Sequence, residues 1–105
     1  MKIIYDVPGG IQRVGHPHPG SVYQGGRFEA YLPDIPEARN LLSPLEKALK
    51  HGLTFKIQEK DPVDCVTWNC IPHKTSLNGG RQKNGFPDSI YLKNLKMVLK
   101  QYGIE

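Results

Sequence analysis

The residues best suited to chemistry lie at the end of the densest apolar stretch of the chain, Val63 to Thr75. This stretch contains the single tryptophan of the sequence and ends in a polar cluster: Asn69, His73, Lys74 and Thr75. Because a rigid central strand holds the side chains at its end in place, such a cluster is well positioned to bind a ligand. From composition alone, a core strand that runs into an ordinary loop is the simpler interpretation.

Each residue of this stretch that could act as a catalyst also has a structural interpretation. A histidine beside a strand end, like His73, is more often a hydrogen-bonded structural residue than a catalyst. Cys65 and Cys70 are expected to be buried free thiols, because an apolar strand is a poor environment for a thiolate and their opposite parity argues against a disulfide. Asp64 is expected to satisfy backbone groups, with a functional buried carboxylate as the alternative.

Two loops outside this stretch also carry chemically capable residues. His16 and His18 are one residue apart and could share a metal, but no further ligands are spaced for zinc, so no metal site is predicted. The loop from Gly79 to Gly85 is rich in glycine and positive charge and precedes a helical pattern, which could cradle an anion. Its spacing is not that of a phosphate-binding loop, so a plain surface connector is favoured.

The strands that must position these residues are predicted from hydrophobic periodicity. Residues 2–7, 22–23, 27–32 and 53–59 have strand patterns, and apolar residues fall on both parities of 63–71. This last segment is therefore expected to be a central strand covered on both faces. The short turn Lys60–Pro62 predicts that it forms a hairpin with the strand before it.

Two helical patterns complete the fold. The first covers Ala38 to Leu49, and Pro44 predicts a kink or break there, with Ser43 as a new N-cap. The second runs from Asp88, its expected N-cap, to Tyr102, and Gly103 ends it. Its expected buried stripe is Leu92, Leu95, Leu99 and Tyr102. The predicted fold is a single α+β domain, with a mainly antiparallel sheet packed by two helices.

The composition of the chain argues against several classes of protein function. The chain has 105 residues, of which 38% are hydrophobic and 23% charged, which is typical of a soluble globular domain. No apolar run is long enough for a membrane span and no signal-peptide pattern is present, so an intracellular, cytoplasmic protein is expected, with the nucleus as the other compartment. The net charge of +4 is scattered and few aromatic residues accompany it, which argues against nucleic-acid binding.

Several short motifs, in matching order and spacing, resemble the C-terminal domain of Deltex-type ubiquitin ligases over nearly the whole chain. They are Ile4–Gln12, the His-Pro-His-Pro-Gly loop His16–Gly20, Tyr31–Asp34, Val66–Asn69, His73–Thr75, and Gly85–Asp88 with Tyr91–Leu92. The resemblance implies an α+β domain with a groove for ADP-ribose or NAD. In Deltex ligases this domain follows a zinc-binding RING module, and together they join ubiquitin to ADP-ribose or to ADP-ribosylated targets.

The chain departs from the family pattern at catalytic positions. The first of the family's paired pocket histidines is Pro72 here, a histidine used as a catalytic base in some members is Asn84, and a catalytic glutamate falls at Val98. Because Asn84 and Val98 cannot titrate usefully, general acid–base catalysis is not expected. The turn Lys60–Pro62 is also shorter than the family's ligand-holding loop. Two cysteines in one strand cannot build a RING, so residues 1–105 are predicted to be a Deltex C-terminal-like domain alone.

The sequence therefore predicts a module that binds ADP-ribose or NAD in ubiquitin and ADP-ribose signalling, with no catalytic residue of its own and no metal or resident cofactor. The predicted ligand-binding residues are Trp68, Asn69, His73, Lys74, Thr75, Asn84, Gly85 and Phe86. The expected partners are ADP-ribose or an ADP-ribosylated protein, together with ubiquitin or a RING and its E2 in trans. Two alternatives stay open: a half-ligase that uses a RING on another chain, and a protein-interaction scaffold whose pocket has decayed.

Overall fold

A computed structural model, which describes residues 1–104, has two small β-sheets packed with helices. The first sheet pairs β1 (Lys2–Val7) with β4 (Gly26–Tyr31) in antiparallel register. The second has the spatial order β2, β3, β6, β5, and its strands are Gly10–Ile11, Val22–Gln24, Asp64–Trp68 and Phe55–Gln58 respectively. Only the pair β3–β6 is parallel among the described strands. The α+β class and the mainly antiparallel pairing are confirmed, with the strands divided between two sheets.

β6 is the central strand that the sequence predicted. It lies between β3 and β5, and it forms the expected hairpin with β5, in which Phe55 lies opposite Trp68. Asp64 and Val66 are buried, and Cys65 is partly buried. Both cysteines are free thiols, but Cys70 is exposed because it lies beyond the end of the strand, where the chain leaves the sheet. The prediction that Cys70 is buried is therefore wrong.

Two glycines allow two backbone segments of the chain to approach each other closely at one point. Gly9 follows β1 and Gly25 follows β3, and their backbones are in direct contact with the neighbouring segment. A Cβ atom on Gly25 would lie 1.9 Å from the carbonyl oxygen of Val7, and one on Gly9 would lie 2.7 Å from that of Tyr23. Because no side chain fits at these distances, glycine is required for the sheets to meet here.

The first helical pattern is broken into two helices, as predicted, although the break lies earlier. α1 is Pro36–Arg39 and α2 is Leu42–Lys50. Pro44 lies in the first turn of α2, where its missing N–H has no intrahelical partner to lose, so the helix accommodates it. The N-cap position is Leu41 and makes no side-chain capping bond, so the prediction of Ser43 as N-cap is wrong.

The last helix, α3, is Tyr91–Gln101, and its N-cap position is Ile90. The prediction of Asp88 as N-cap is therefore wrong, since the N-cap lies two residues later. The Asp88 carboxylate still accepts the N–H of Ile90 at 3.2 Å, but ion pairs also engage it. Gly103 follows the helix with a φ of 73°, as expected for a C-terminal stop. Tyr102 is 49% exposed, so its place in the predicted buried stripe is wrong.

The helices and the end of the β4 segment enclose the main hydrophobic core. Its buried members are Leu32, Ala38, Leu41, Leu45, Ala48, Ile71, Tyr91, Leu95, Leu99 and Ile104. Ile71 follows β6, so the core fixes the chain immediately before His73. No helix within residues 1–104 has both the length and the apolar character needed to cross a bilayer.

Candidate functional site

Five aromatic rings from both sheets and from the segment after β6 form one group, which we call the aromatic cluster: Tyr5, Phe28, Phe55, Trp68 and His73. Phe28 contacts Phe55 and Trp68, with ring centroids 4.7 Å and 5.2 Å apart. Trp68 stacks on His73, with ring centroids 4.7 Å apart and planes inclined by 28°. Phe55 stacks on Trp68 at 5.0 Å and 27°. Tyr5 meets Phe55, Trp68 and His73 edge-on at 5.2–5.9 Å. Trp68 and His73, both predicted ligand-binding residues, therefore lie on the same side of the domain.

His73 is held as a neutral imidazole in one tautomer. Its Nδ1 lies 2.9 Å from the carbonyl oxygen of Ile71, which can only accept, so Nδ1 carries the proton. Burial lowers the pKa of His73, so Nε2 is unprotonated near neutral pH and accepts the hydroxyl of Tyr5 at 2.9 Å. Burial also raises the pKa of Tyr5 to about 12, which keeps its hydroxyl a donor. Both nitrogens of His73 are therefore occupied within the protein.

Asn84 fastens the glycine-rich loop to the segment that carries His73. Its side-chain amide donates to the carbonyl oxygen of His73 at 2.9 Å and to the hydroxyl of Thr75 at 3.0 Å. The Asn84 carbonyl oxygen accepts the N–H of Ser76 at 3.1 Å, and Asn84 itself adopts a left-handed conformation with a φ of 53°. Asparagine tolerates this conformation better than most residues. Asn84 and Thr75 are thus adjacent to the aromatic cluster.

The glycine-rich loop is closed tightly on itself. The N–H of Gly85 donates to the carbonyl oxygen of Gly80 at 2.8 Å, and the N–H of Gly80 donates to that of Phe86 at 3.1 Å. A Cβ atom on Gly85 would lie 2.0 Å from the carbonyl oxygen of Asn78. The backbone amides of Gly80 and Gly85 are therefore used within the loop, which makes the loop a scaffold beside the cluster.

Lys74 points away from His73, as alternation along an extended segment requires. Its ammonium group lies 2.8 Å from the carboxylate of Asp88, and the two side chains are only 6% and 8% exposed. The hydrogen bond from Lys74 is the largest cause of the lowered pKa of Asp88, about 2. Phe86 also lies on this side, where its ring meets that of Tyr91 at 5.9 Å. Lys74 and Phe86 therefore lie on a different side from Trp68 and His73, so the eight predicted residues do not share one face.

An open cleft of about 680 Å³ adjoins the aromatic cluster through Phe55. One wall is the β5–β6 hairpin, and the other is the loop that contains His16 and Pro17. Of the eight predicted ligand-binding residues, only Asn69 is in the lining of this cleft. The residues with polar or aromatic groups in the lining are His16, Tyr23, Phe55, Lys56, Glu59 and Asn69. Of these, sequence reasoning missed Tyr23, Phe55, Lys56 and Glu59 as site residues.

A buried carboxylate fixes the loop that forms the second wall. Asp64 accepts the N–H of Lys60 at 3.0 Å, the side-chain amide of Gln12 at 2.8 Å and the Nδ1–H of His18 at 2.6 Å. The bond from His18 is the largest cause of the lowered pKa of Asp64, about 2, and the same bond raises the pKa of His18. The expectation that Asp64 satisfies backbone groups is confirmed for one of its three hydrogen bonds, the one from the N–H of Lys60. The other two tie the His-Pro loop to β6.

The second histidine of that loop does not share a site with the first. The Nδ1 of His16 accepts the backbone N–H of Arg13 at 2.9 Å, whereas His18 pairs with Asp64. Within residues 1–104, no group of three or more histidine, cysteine or acidic residues is arranged to hold a metal ion.

Comparisons with known proteins identify a family that this sequence matches. The family model of the Deltex C-terminal domain matches residues 1–104. Probable E3 ubiquitin-protein ligase DTX3 of Homo sapiens and of Mus musculus are each 42% identical over 107 residues, which cover 99% of this chain and 31% of theirs. E3 ubiquitin-protein ligase DTX1 of Homo sapiens is 35% identical over 109 residues, which cover 99% of this chain and 18% of its own.

This chain thus spans less than a third of the length of these curated relatives. The match nevertheless extends over the whole described fold, from β1 through α3 to residue 104, so the resemblance drawn from the short motifs is confirmed. The chain belongs to the Deltex C-terminal domain family.

Proposed function

We propose that this domain binds ADP-ribose or NAD as a cytoplasmic recognition module of ubiquitin and ADP-ribose signalling, without catalysis of its own. The observation that carries the proposal is the composition of the cleft beside the aromatic cluster. It combines aromatic rings, one lysine, one carboxylate and one amide in about 680 Å³. This volume is within the roughly 300–1,000 Å³ range of small-molecule sites.

Each part of an ADP-ribose unit has a matching group in the cleft. The rings of Phe55 and Tyr23 suit a nucleobase, which stacks on aromatic faces. The ammonium group of Lys56 suits the diphosphate, and it makes no ion pair within residues 1–104 that would compete. The carboxylate of Glu59 and the amide of Asn69 suit the ribose hydroxyls, since both can accept hydrogen bonds.

The walls of the cleft are held in place before any ligand arrives. Phe55 is backed by Trp68, which is backed in turn by His73. The opposite loop is fixed to β6 by the bond between His18 and Asp64. Preorganisation of this kind lowers the entropic cost of binding, which supports recognition by a small domain.

The chemistry of the cluster supports binding rather than catalysis. A general base needs a free lone pair near the reacting proton and a pKa near the working pH. The lone pair of His73 accepts the Tyr5 hydroxyl, and burial lowers its pKa. Asn84 carries an amide that cannot titrate and that is already bonded to the backbone. Neither residue can take a proton from a ligand in this arrangement.

Isothermal titration with ADP-ribose and NAD tests the binding proposal. Phe55→Ala removes the stacking wall and is expected to weaken binding by roughly tenfold or more, since a stacked base contributes about 1–3 kcal/mol. Lys93→Ala on the exposed face of α3 is the matched control and is expected to bind as the unaltered protein does. If neither ligand produces heat of binding at concentrations up to about 1 mM, the proposal is contradicted.

The names of the relatives support a ubiquitin-pathway setting, with ubiquitin and a RING and its E2 supplied by other chains as partners. A reconstituted reaction with an E1, a charged E2, a RING from a relative and ADP-ribose separates the open alternatives. No modified ADP-ribose is expected if the domain only binds. Modified ADP-ribose whose formation depends on Phe55 would instead establish the half-ligase. A domain that captures a protein partner but no nucleotide would establish the scaffold.

A further inference from the structure

The outer edge of β1 has no strand beside it. The N–H of Leu32 donates to the carbonyl oxygen of Met1 at 2.9 Å, so odd-numbered residues of β1 direct their backbone groups towards β4. In an antiparallel pair these directions alternate along the strand. The backbone N–H and C=O groups of Lys2, Ile4 and Asp6 therefore point outward, and β1 pairs only with β4 within the described residues.

An apolar groove runs along this edge, between β1 and α2. It encloses about 210 Å³ and is lined mainly by aliphatic side chains, with Tyr5 and the exposed Glu46 beside them. Three apolar side chains in this lining are exposed to solvent: Ile4 is 45% exposed, Leu42 is 41% exposed and Leu49 is 40% exposed. A contiguous apolar patch beside unpaired backbone groups is typical of a surface that accepts another strand.

The charges on the edge identify which strand fits. Lys2 and Asp6 carry opposite charges at equal distances on either side of Ile4, and all three side chains share one exposed face of β1. A second β1 strand placed antiparallel, with its Ile4 opposite this Ile4, brings each Lys2 opposite the Asp6 of the other copy. Each of the three outward residues then lies opposite a residue whose N–H and C=O groups also point outward.

We infer that β1 is a homodimer interface, in which two copies of this chain pair their β1 strands antiparallel about a two-fold axis at Ile4. The interface is self-complementary in hydrogen bonds, in apolar contact and in charge, as a two-fold interface requires. It also joins two two-stranded sheets into one of four strands. Two-stranded sheets are marginal on their own, so this extension supports the pairing.

The same charges discriminate against other pairings of the edge. Parallel pairing in the same register would bring Lys2 beside Lys2 and Asp6 beside Asp6, which is unfavourable on an exposed face. An antiparallel register shifted by two residues would place a charged residue opposite Ile4. Charged residues on an edge strand commonly prevent association. Here their opposite signs and their symmetry about Ile4 allow one arrangement and oppose the others.

Sedimentation equilibrium of the full chain over a wide concentration range tests the inference, with two charge-reversal variants. Lys2→Glu places two carboxylates opposite each other, and Asp6→Lys places two ammonium groups opposite each other. Each variant is expected to self-associate about tenfold or more weakly than the unaltered chain, since two attractive pairs become two repulsive ones. Mixing the two variants restores both attractive pairs, so the mixture is expected to dimerise as the unaltered chain does.

Glu29→Gln is the matched control. Lys2 lies 3.5 Å from Glu29 within the chain, so this variant removes that contact without changing the outer edge. Its dimerisation is expected to be unchanged. A chain that stays monomeric at every concentration would overturn the inference, and so would a mixture of Lys2→Glu and Asp6→Lys that associates no better than either variant alone.

Hydrogen exchange of the unaltered chain keeps the inference testable where a variant does not fold. The outward amides of Lys2, Ile4 and Asp6 are expected to exchange more slowly as protein concentration rises, while those of the β1–β4 ladder are expected to change little. Equal exchange of the outward amides in dilute and concentrated samples would contradict the pairing.

Discussion

The hydroxyl oxygen of Tyr5 lies 2.9 Å from Nε2 of His73, although the two residues are 68 positions apart. This bond joins the first sheet to the segment that follows the central strand of the second sheet. It also occupies the lone pair on Nε2 of His73. One interaction thus links the two sheets and determines what His73 can do chemically.

We expect Tyr5→Phe to reduce the free energy of unfolding by about 1–3 kcal/mol, because it leaves the buried Nε2 of His73 without a donor while it preserves the ring. Urea denaturation measures the change. Tyr23→Phe, which removes the hydroxyl of a tyrosine that lines the open cleft, is the control and is expected to change stability much less. Equal effects of the two substitutions would show that the Tyr5–His73 bond adds no stability.

The bond between His18 and Asp64 predicts a pH dependence of stability. Because the pKa of His18 is raised in the folded state, its contribution is complete below the unfolded value of about 6.5 and is lost as the pH rises through the folded value. Thermal unfolding from pH 5 to pH 9 is therefore expected to show a decline that His18→Asn lacks. Asparagine can still bond to Asp64 but does not titrate, so identical pH profiles would contradict this role.

Asp64 predicts the opposite dependence at low pH. Its pKa is lowered to about 2, chiefly by the hydrogen bond from His18, so its contribution is present above the ordinary carboxyl value of about 3.9 and is lost as the pH falls towards 2. Asp64→Asn is expected to flatten the acid limb of the stability profile. Acid unfolding followed by circular dichroism measures this, and an unchanged acid limb would show that Asp64 contributes nothing.

The ion pair between Lys74 and Asp88 is expected to hold the glycine-rich loop more strongly than that between Arg81 and Asp88. The Lys74 side chain is 6% exposed, whereas that of Arg81 is 61% exposed. Removal of Lys74 leaves the buried Asp88 carboxylate with only the exposed Arg81 as a counter-charge, whereas removal of Arg81 leaves the buried pair intact. Lys74→Met should therefore lower the unfolding midpoint far more than Arg81→Gln.

A double substitution provides the check on this ion pair. Adding Asp88→Asn to Lys74→Met is expected to recover part of the lost stability, because the buried charge that has lost its Lys74 partner is removed. Strictly additive losses would show that the two side chains are not coupled.

Gly85→Ala is expected to disrupt the loop beside the cluster, since the new Cβ atom would lie 2.0 Å from the carbonyl oxygen of Asn78. Gly20→Ala is the control. Gly20 has a φ of 90°, but a Cβ atom added to it would meet nothing within 4 Å, so its substitution carries only the backbone cost of about 1–2 kcal/mol. Urea denaturation compares them, and a Gly85→Ala variant no less stable than Gly20→Ala would contradict the close approach.

Much of the fold was predictable because local patterns determined it. The alternation of residues 53–59 and the short turn that follows it predicted the hairpin, apolar residues on both parities of 63–71 predicted the central strand, and Gly103 marked the end of α3. The division into two sheets was not predictable, since it depends on the close backbone contact at Gly25, which no local pattern specifies. The start of α2 was missed because tertiary packing of Leu41 outweighed the capping propensity of Ser43.

The candidate site was predictable only in part, because long-range contacts bring some of its residues together. Trp68 and His73 lie close together because they are on one continuous segment. Strand alternation could have shown that Lys74 points away from His73. The contribution of the His16 loop was not accessible, because it depends on the parallel pairing of β3 with β6, a long-range contact.

Nucleotide recognition by the cleft is tested most sharply by a crystal structure of the domain soaked with ADP-ribose. We expect a nucleobase against Phe55 and the diphosphate beside Lys56, with His73 still bonded to Tyr5. Ligand bound on the opposite face, beside Lys74 and Phe86, or a cleft that stays empty at millimolar ADP-ribose, would contradict the proposed function.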